Sequence, residues 1–143
     1  MRITGTVFLP YAPASIAVAR QRLTADLSAA GIVQAAVGDA ALVISELLSN
    51  AIRHGRPLPG SSLQVAWALR NGDVEVTVSD GGAPTIPRPA HAPLSSLGGR
   101  GLGIVEYVAR TWGVRTDDAG LTVWAILAAP GSRSEDRVVR AGS

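Results

Sequence analysis

The spacing of apolar residues changes period several times along the chain, and each change marks an element. Ile3 to Leu9 reads as a first strand, stopped by Pro10. Pro13-Ala14-Ser15 opens a helix running to about Ala30, with Gly31 as its stop signal. A second helix covers roughly Val33 to His54 and ends at Gly55 and Pro57. Leu63, Val65, Trp67 and Leu69 then alternate with small or polar residues, and Val74, Val76 and Val78 alternate again after Asn71-Gly72. Asn-Gly between two alternating runs predicts a type I′ hairpin.

From Gly81 to Gly99 the chain has no period and is rich in Gly, Pro, Ser and Ala. A structureless stretch of that length in a compact domain implies a working loop. Leu102, Val105, Val108, Ala109 and Trp112 mark a third helix. Val114 to Thr116 and Leu121 to Leu127 predict two closing strands around Asp117-Asp118-Ala119-Gly120. The order β-α-α-β-β-loop-α-β-β predicts an α+β two-layer sandwich, with a mixed, mostly antiparallel sheet and helices on one face. One domain is expected over residues 1–129, followed by a mobile polar tail over 130–143.

Composition narrows the function. All 13 basic residues are arginine. Without lysine there is no P-loop, whose lysine reaches the β/γ-phosphates, and no Schiff-base chemistry. The arginines are scattered among acids and the net charge is only +2, so no nucleic-acid surface is expected. With no cysteine there is no disulfide, thiolate nucleophile or cysteine-ligated zinc, and cytoplasm is the simplest compartment. Pro10, Pro13 and nearby polar residues interrupt any signal-peptide core, and no uncharged apolar run approaches the ~18 residues of a membrane span.

Three features point to chemistry, and each has a plainer reading. The second helix carries Ala40, Ala41, Leu42, Ile44, Leu47, Leu48, Ala51 and Ile52, yet Glu46, Asn50 and His54 form one polar stripe on it. That stripe is either a solvent face or a site. Asp80 shares parity with Val74, Val76 and Val78 and so points to the buried face of its strand. It is either a turn aspartate or an acceptor for a ligand's amino group, with Gly81-Gly82 letting that ligand come close. Gly98-Gly99-Arg100-Gly101-Leu102-Gly103 is either a flexible entry to a helix or a set of backbone N–H groups turned toward an anion.

Taken in order, Ser45-Glu46-Leu47-Leu48-Ser49-Asn50-Ala51-Ile52-Arg53-His54-Gly55, Val78-Ser79-Asp80-Gly81-Gly82 and Gly99-Arg100-Gly101-Leu102-Gly103-Ile104-Val105-Glu106 resemble the histidine kinase-like ATPases. Within that superfamily the short form resembles the anti-sigma factor serine/threonine kinases. The resemblance covers roughly residues 5 to 128. It implies ATP and Mg²⁺ as cofactors. Asn50 corresponds to the Mg²⁺ ligand, Glu46 to the general base, and Asp80 to the acceptor of adenine's amino group. Thr122 is expected to support that contact, Gly82 to let the base lie close, and Gly99, Gly101 and Gly103, with Leu102 between them, to line the phosphates. Arg100 is expected to neutralise phosphate charge.

The resemblance further implies protein partners, a sigma factor or the antagonist that is phosphorylated, with no direct nucleic acid or membrane contact. Relatives of this kind pair through their first elements. The apolar face of Ile16, Ala17, Ala19, Leu23, Leu27 and Ala30 is therefore open to two uses, core and homodimer interface. One departure stands out: Gly82 is followed by Ala83-Pro84, where relatives carry a further glycine, and Pro87, Pro89 and Pro93 stiffen the loop. That departure favours an ATP-dependent binding regulator with weak turnover as the alternative. The catalytic half of a split histidine kinase, acting in trans, is the third reading.

Overall fold

The computed structural model describes residues 3–82 and 102–131. The elements follow the predicted order: β1 (Ile3–Pro10), α1 (Ala14–Ala29), α2 (Gln34–His54), β2 (Ser62–Arg70), β3 (Asp73–Asp80), α3 (Leu102–Val108), β4 (Thr111–Asp117) and β5 (Gly120–Ala128). The strands form one sheet in the order β1-β2-β3-β5-β4, and every pairing is antiparallel. The mixed element allowed by the sequence is thus not present in this sheet. Two of its pairs, β2–β3 and β4–β5, are joined by tight turns, which only antiparallel neighbours permit. At the first turn both Asn71 and Gly72 have positive φ, 53° and 80°, as a type I′ hairpin requires.

Burial alternates along the central strands, so among the described residues one sheet face meets the helices and the other does not. Leu63, Val65, Trp67 and Leu69 of β2, Val74, Val76 and Val78 of β3, and Ala125 and Leu127 of β5 all lie in the core. α1 contributes Ala19, Leu23 and Leu27 to the same core. α2 contributes nine residues, among them Val43, Ile44, Leu47 and Leu48. This 21-residue helix is long and apolar enough to cross a membrane by length and composition alone. Its apolar face instead packs on β3, β5 and the other two helices. Leu42, expected among the apolar positions, is 41% exposed and lies off that face.

Two boundaries differ from the sequence reading. The third helix ends at Val108, and Trp112 belongs to β4, where its partner is Ala125 on the core-facing side. The backbone explains the change. Ala109 N–H closes the last helical turn on Val105 O, and Arg110 N–H already donates to Ile126 O of β5. The second difference concerns the tail. Pro130 O accepts from Val33 N–H at 3.0 Å and Gly131 pairs with Ile32, so the first two residues of the expected tail contact the domain. The rest of the expected tail, 132–143, lies outside the described residues, as do Pro87, Pro89 and Pro93.

Candidate functional site

Asp80 is the last residue of β3, and the alternation that buries Val74, Val76 and Val78 carries its side chain to the helix-facing side. It is 3% exposed. Few carboxylates are buried so fully without strong local support. Part of that support is the chain just beyond it: Gly82 N–H donates to Asp80 Oδ1 at 2.5 Å, closing an Asx turn, and Gly82 leaves it with a positive φ of 78°. Gly81 N–H donates to Arg56 O at 2.6 Å, which stitches the end of β3 to the segment leaving α2. Gly82 therefore holds the carboxylate.

The other wall is the end of α2. A β-carbon at Gly55 would overlap the Asp80 carboxylate and sit 2.7 Å from Ala51 O. Only glycine lets the helix end this close. Nearby, the Tyr11 hydroxyl donates to Ala51 O at 2.8 Å and lies 3.1 Å from Ile52 O. Its pKa is raised above 10.0, first because burial disfavours the phenolate and second because Asp80 is negative.

Glu46 and Asn50 sit one turn apart on α2, both half-buried, on a flank of the helix beside its core face. The third member of the stripe, His54, is exposed at the last helical position. α3 packs on α2 and opens with Leu102, whose side chain is 2% exposed among core residues. Leu102 thus offers a ligand its backbone alone, whereas Gly103 is exposed. Gly99, Arg100 and Gly101 lie outside the described residues.

Thr122 is not where the sequence reading placed it. It pairs with Ser79, and the two hydroxyls are 2.7 Å apart. Residues paired across antiparallel strands share a face, and Ser79 faces away from the helices because its neighbours Val78 and Asp80 face toward them. Asp80 itself pairs with Leu121. The residue beside the carboxylate on β5 is therefore Leu121, one position earlier. Counting strand parity from Asp80 across β5 needs the register, which the sequence does not contain.

A buried carboxylate at the end of β3 thus lies against Gly55 at the end of α2, the helix that also carries Glu46 and Asn50. The profile of the histidine kinase-like ATPase domain matches residues 9–127. The chain belongs to this family. As a histidine kinase-like ATPase domain it is an ATP-binding module, and its five-stranded antiparallel sheet and three helices are those of that fold. Among solved structures it is similar to a chain comprising the RsbU and RsbW domains of Rv1364c from Mycobacterium tuberculosis, with a TM-score of 0.69 and 22% identity. The match covers 89% of this chain and 32% of that longer one, and at this identity it speaks for the fold alone. No match was found among curated proteins.

Tyr11, Gly55 and Leu121 were not singled out from the sequence as site residues. Gly55 carried a signal, since it closes the Asn50-to-Gly55 motif, but its only readable meaning there was a helix stop. Tyr11 follows Pro10 in a short connection and carried none.

Proposed function

We propose that this ATPase domain is a protein serine/threonine kinase of the anti-sigma factor type, acting in the cytoplasm on a protein antagonist. The observation that carries the reading is Asp80, a buried carboxylate held at the end of β3 by Gly82 N–H, with Gly55 at the end of α2 pressed against it. A carboxylate in that setting accepts from an exocyclic amino group and rejects a carbonyl, which favours adenine over guanine. Glu46 would act as general base, taking the proton of the acceptor hydroxyl as it attacks the γ-phosphoryl group. Asn50 would hold Mg²⁺ through its single neutral amide oxygen, and the cation's remaining ligands would come from triphosphate and water. When bound, that ion supplies charge neutralisation along the phosphates. Gly99, Arg100, Gly101 and Gly103 would receive the phosphates at the entry to α3.

The partner reading, a sigma factor together with its antagonist, rests on the motif resemblance, and so does a homodimer paired through the first elements. A second reading keeps ATP binding and drops efficient turnover. It is favoured by Ala83-Pro84 directly after Gly82, where a further glycine would ease closure over the nucleotide. Calorimetric titration of ATP, ADP and GTP with and without Mg²⁺, followed by a phosphotransfer assay on a candidate antagonist, separates the two. ATP-selective, Mg²⁺-sensitive binding with transfer supports the kinase, and binding without transfer supports the regulator. Absence of binding at millimolar ATP overturns both.

A further inference from the structure

We propose that Tyr11 is a positioning residue of the nucleotide site, its hydroxyl tying the last turn of α2, which follows Asn50 and abuts Asp80, to the connection after β1. The proposal rests on the nucleotide reading given above.

Tyr11 lies in the short connection after β1, and its backbone N–H donates to Ser61 O at 2.9 Å, so the residue is anchored before its side chain reaches out. The ring packs against the core, and the hydroxyl arrives at the carbonyls of Ala51 and Ile52. A hydroxyl has one proton, which points mainly to the nearer Ala51 O and is shared with Ile52 O. The last four carbonyls of a helix have no partner within it. α2 runs to His54, so Ala51 and Ile52 are the first two of that set. Gly55 N–H also donates to Ala51 O, at 2.8 Å, and the described hydrogen bonds give Ile52 O no partner outside the helix but Tyr11.

The tie has consequences in two directions. Ala51 follows Asn50 directly, so the turn held by Tyr11 is the turn that presents the amide. Gly55, one turn further on, lies against Asp80, and the same phenol senses that carboxylate's charge. Asp80 has supports of its own, because β3 pairs it with Leu121 and Gly82 N–H binds Oδ1. Removing the hydroxyl therefore frees the helix end while leaving the adenine end in place. A ligand that touches only Asp80 should not notice. One that spans from Asp80 to Asn50 should.

Tyr11→Phe keeps the ring and deletes the tie. The test compares wild type and Tyr11→Phe by calorimetry with two ligands, Mg²⁺·ATP and adenosine. Mg²⁺·ATP affinity is expected to fall about five- to tenfold, the equivalent of one lost hydrogen bond, with adenosine affinity unchanged within about twofold. Equal weakening for both ligands would mean general loosening and would overturn the positioning role, as would unchanged Mg²⁺·ATP affinity. Hydrogen exchange on the nucleotide-free proteins gives an independent readout. The amides of Ile52 to Gly55 should exchange about fivefold faster in Tyr11→Phe, and unchanged exchange there overturns the tie. Failure of the wild type to bind either ligand is a different result, because it overturns the nucleotide reading itself.

Discussion

Gly55 lies against the carboxylate of Asp80, closer than any residue with a β-carbon could come. The contact joins the C-terminal end of α2 to the end of β3, two segments that meet nowhere near each other in sequence. Gly55→Ala must push either the helix end or the carboxylate aside. Overpacking of this kind costs roughly 1–3 kcal/mol, and here it falls on the site as well as the fold. The expected outcome is a lower melting temperature together with weaker ATP binding. A variant that melts and binds like wild type would show that the two segments yield freely.

Asp80→Asn preserves shape and removes charge. ATP affinity should drop about ten- to a hundredfold, the equivalent of ~1.5–3 kcal/mol, because an amide presents a donor where the adenine amino group needs an acceptor. Titration of ATP and GTP into the variant reads both the loss and the change in preference. Unchanged ATP affinity would remove Asp80 from adenine recognition.

For Glu46→Gln the expectation is divided. Binding of ATP should stay within about twofold, while single-turnover phosphotransfer should fall by a factor of about 10² or more, the scale of a lost general base. Transfer at the wild-type rate would assign the proton to another group.

Thr122→Val tests the register. The side chain faces Ser79 on the helix-free side of the sheet, so nucleotide affinity should not change. Stability should decrease by about 0.5–1.5 kcal/mol through the lost hydroxyl contact, measurable by urea denaturation. Weakened ATP binding with an intact fold would restore Thr122 to the site.

Tyr11 sets an alkaline limit. Its pKa is raised in the folded protein by burial and by Asp80. Well below pH 10 the phenol is protonated in folded and unfolded chains alike and contributes no pH dependence. Above 10 the unfolded chain ionises first, so stability falls as pH rises toward the folded value. Urea midpoints at pH 9 and pH 11 should therefore drop more for wild type than for Tyr11→Phe. Parallel drops in the two proteins would refute the assignment.

Much of this was legible in advance because it is written in short-range pattern. Period-two runs around Asn71-Gly72 define β2 and β3, and the same parity that buries Val78 buries Asp80. What the sequence could not carry is which strand lies beside which. Leu121 stands next to Asp80 only because β5, and not β4, pairs with β3. The family resemblance carried Thr122 to the adenine contact, and the register turns it away, because a shift of one residue turns a side chain to the opposite face. Trp112 was misread for a related reason: at i+4 from Val108 it continues a helical stripe, and only the bond from Arg110 N–H to Ile126 O shows that the helix has already ended.

The β3–β5 pairing also bears on how the molecule assembles. β1 to β3 with α1 and α2 can gather from a continuous stretch of chain, but Asp80 meets Leu121 only after everything between them has been looped out. Closing such a long loop is entropically slow and comes after local contacts have formed. The side of the carboxylate that Leu121 covers is therefore closed only by a contact that is distant in sequence. A bound nucleotide would accordingly act as a latch, slowing unfolding of the finished domain and leaving its folding rate untouched.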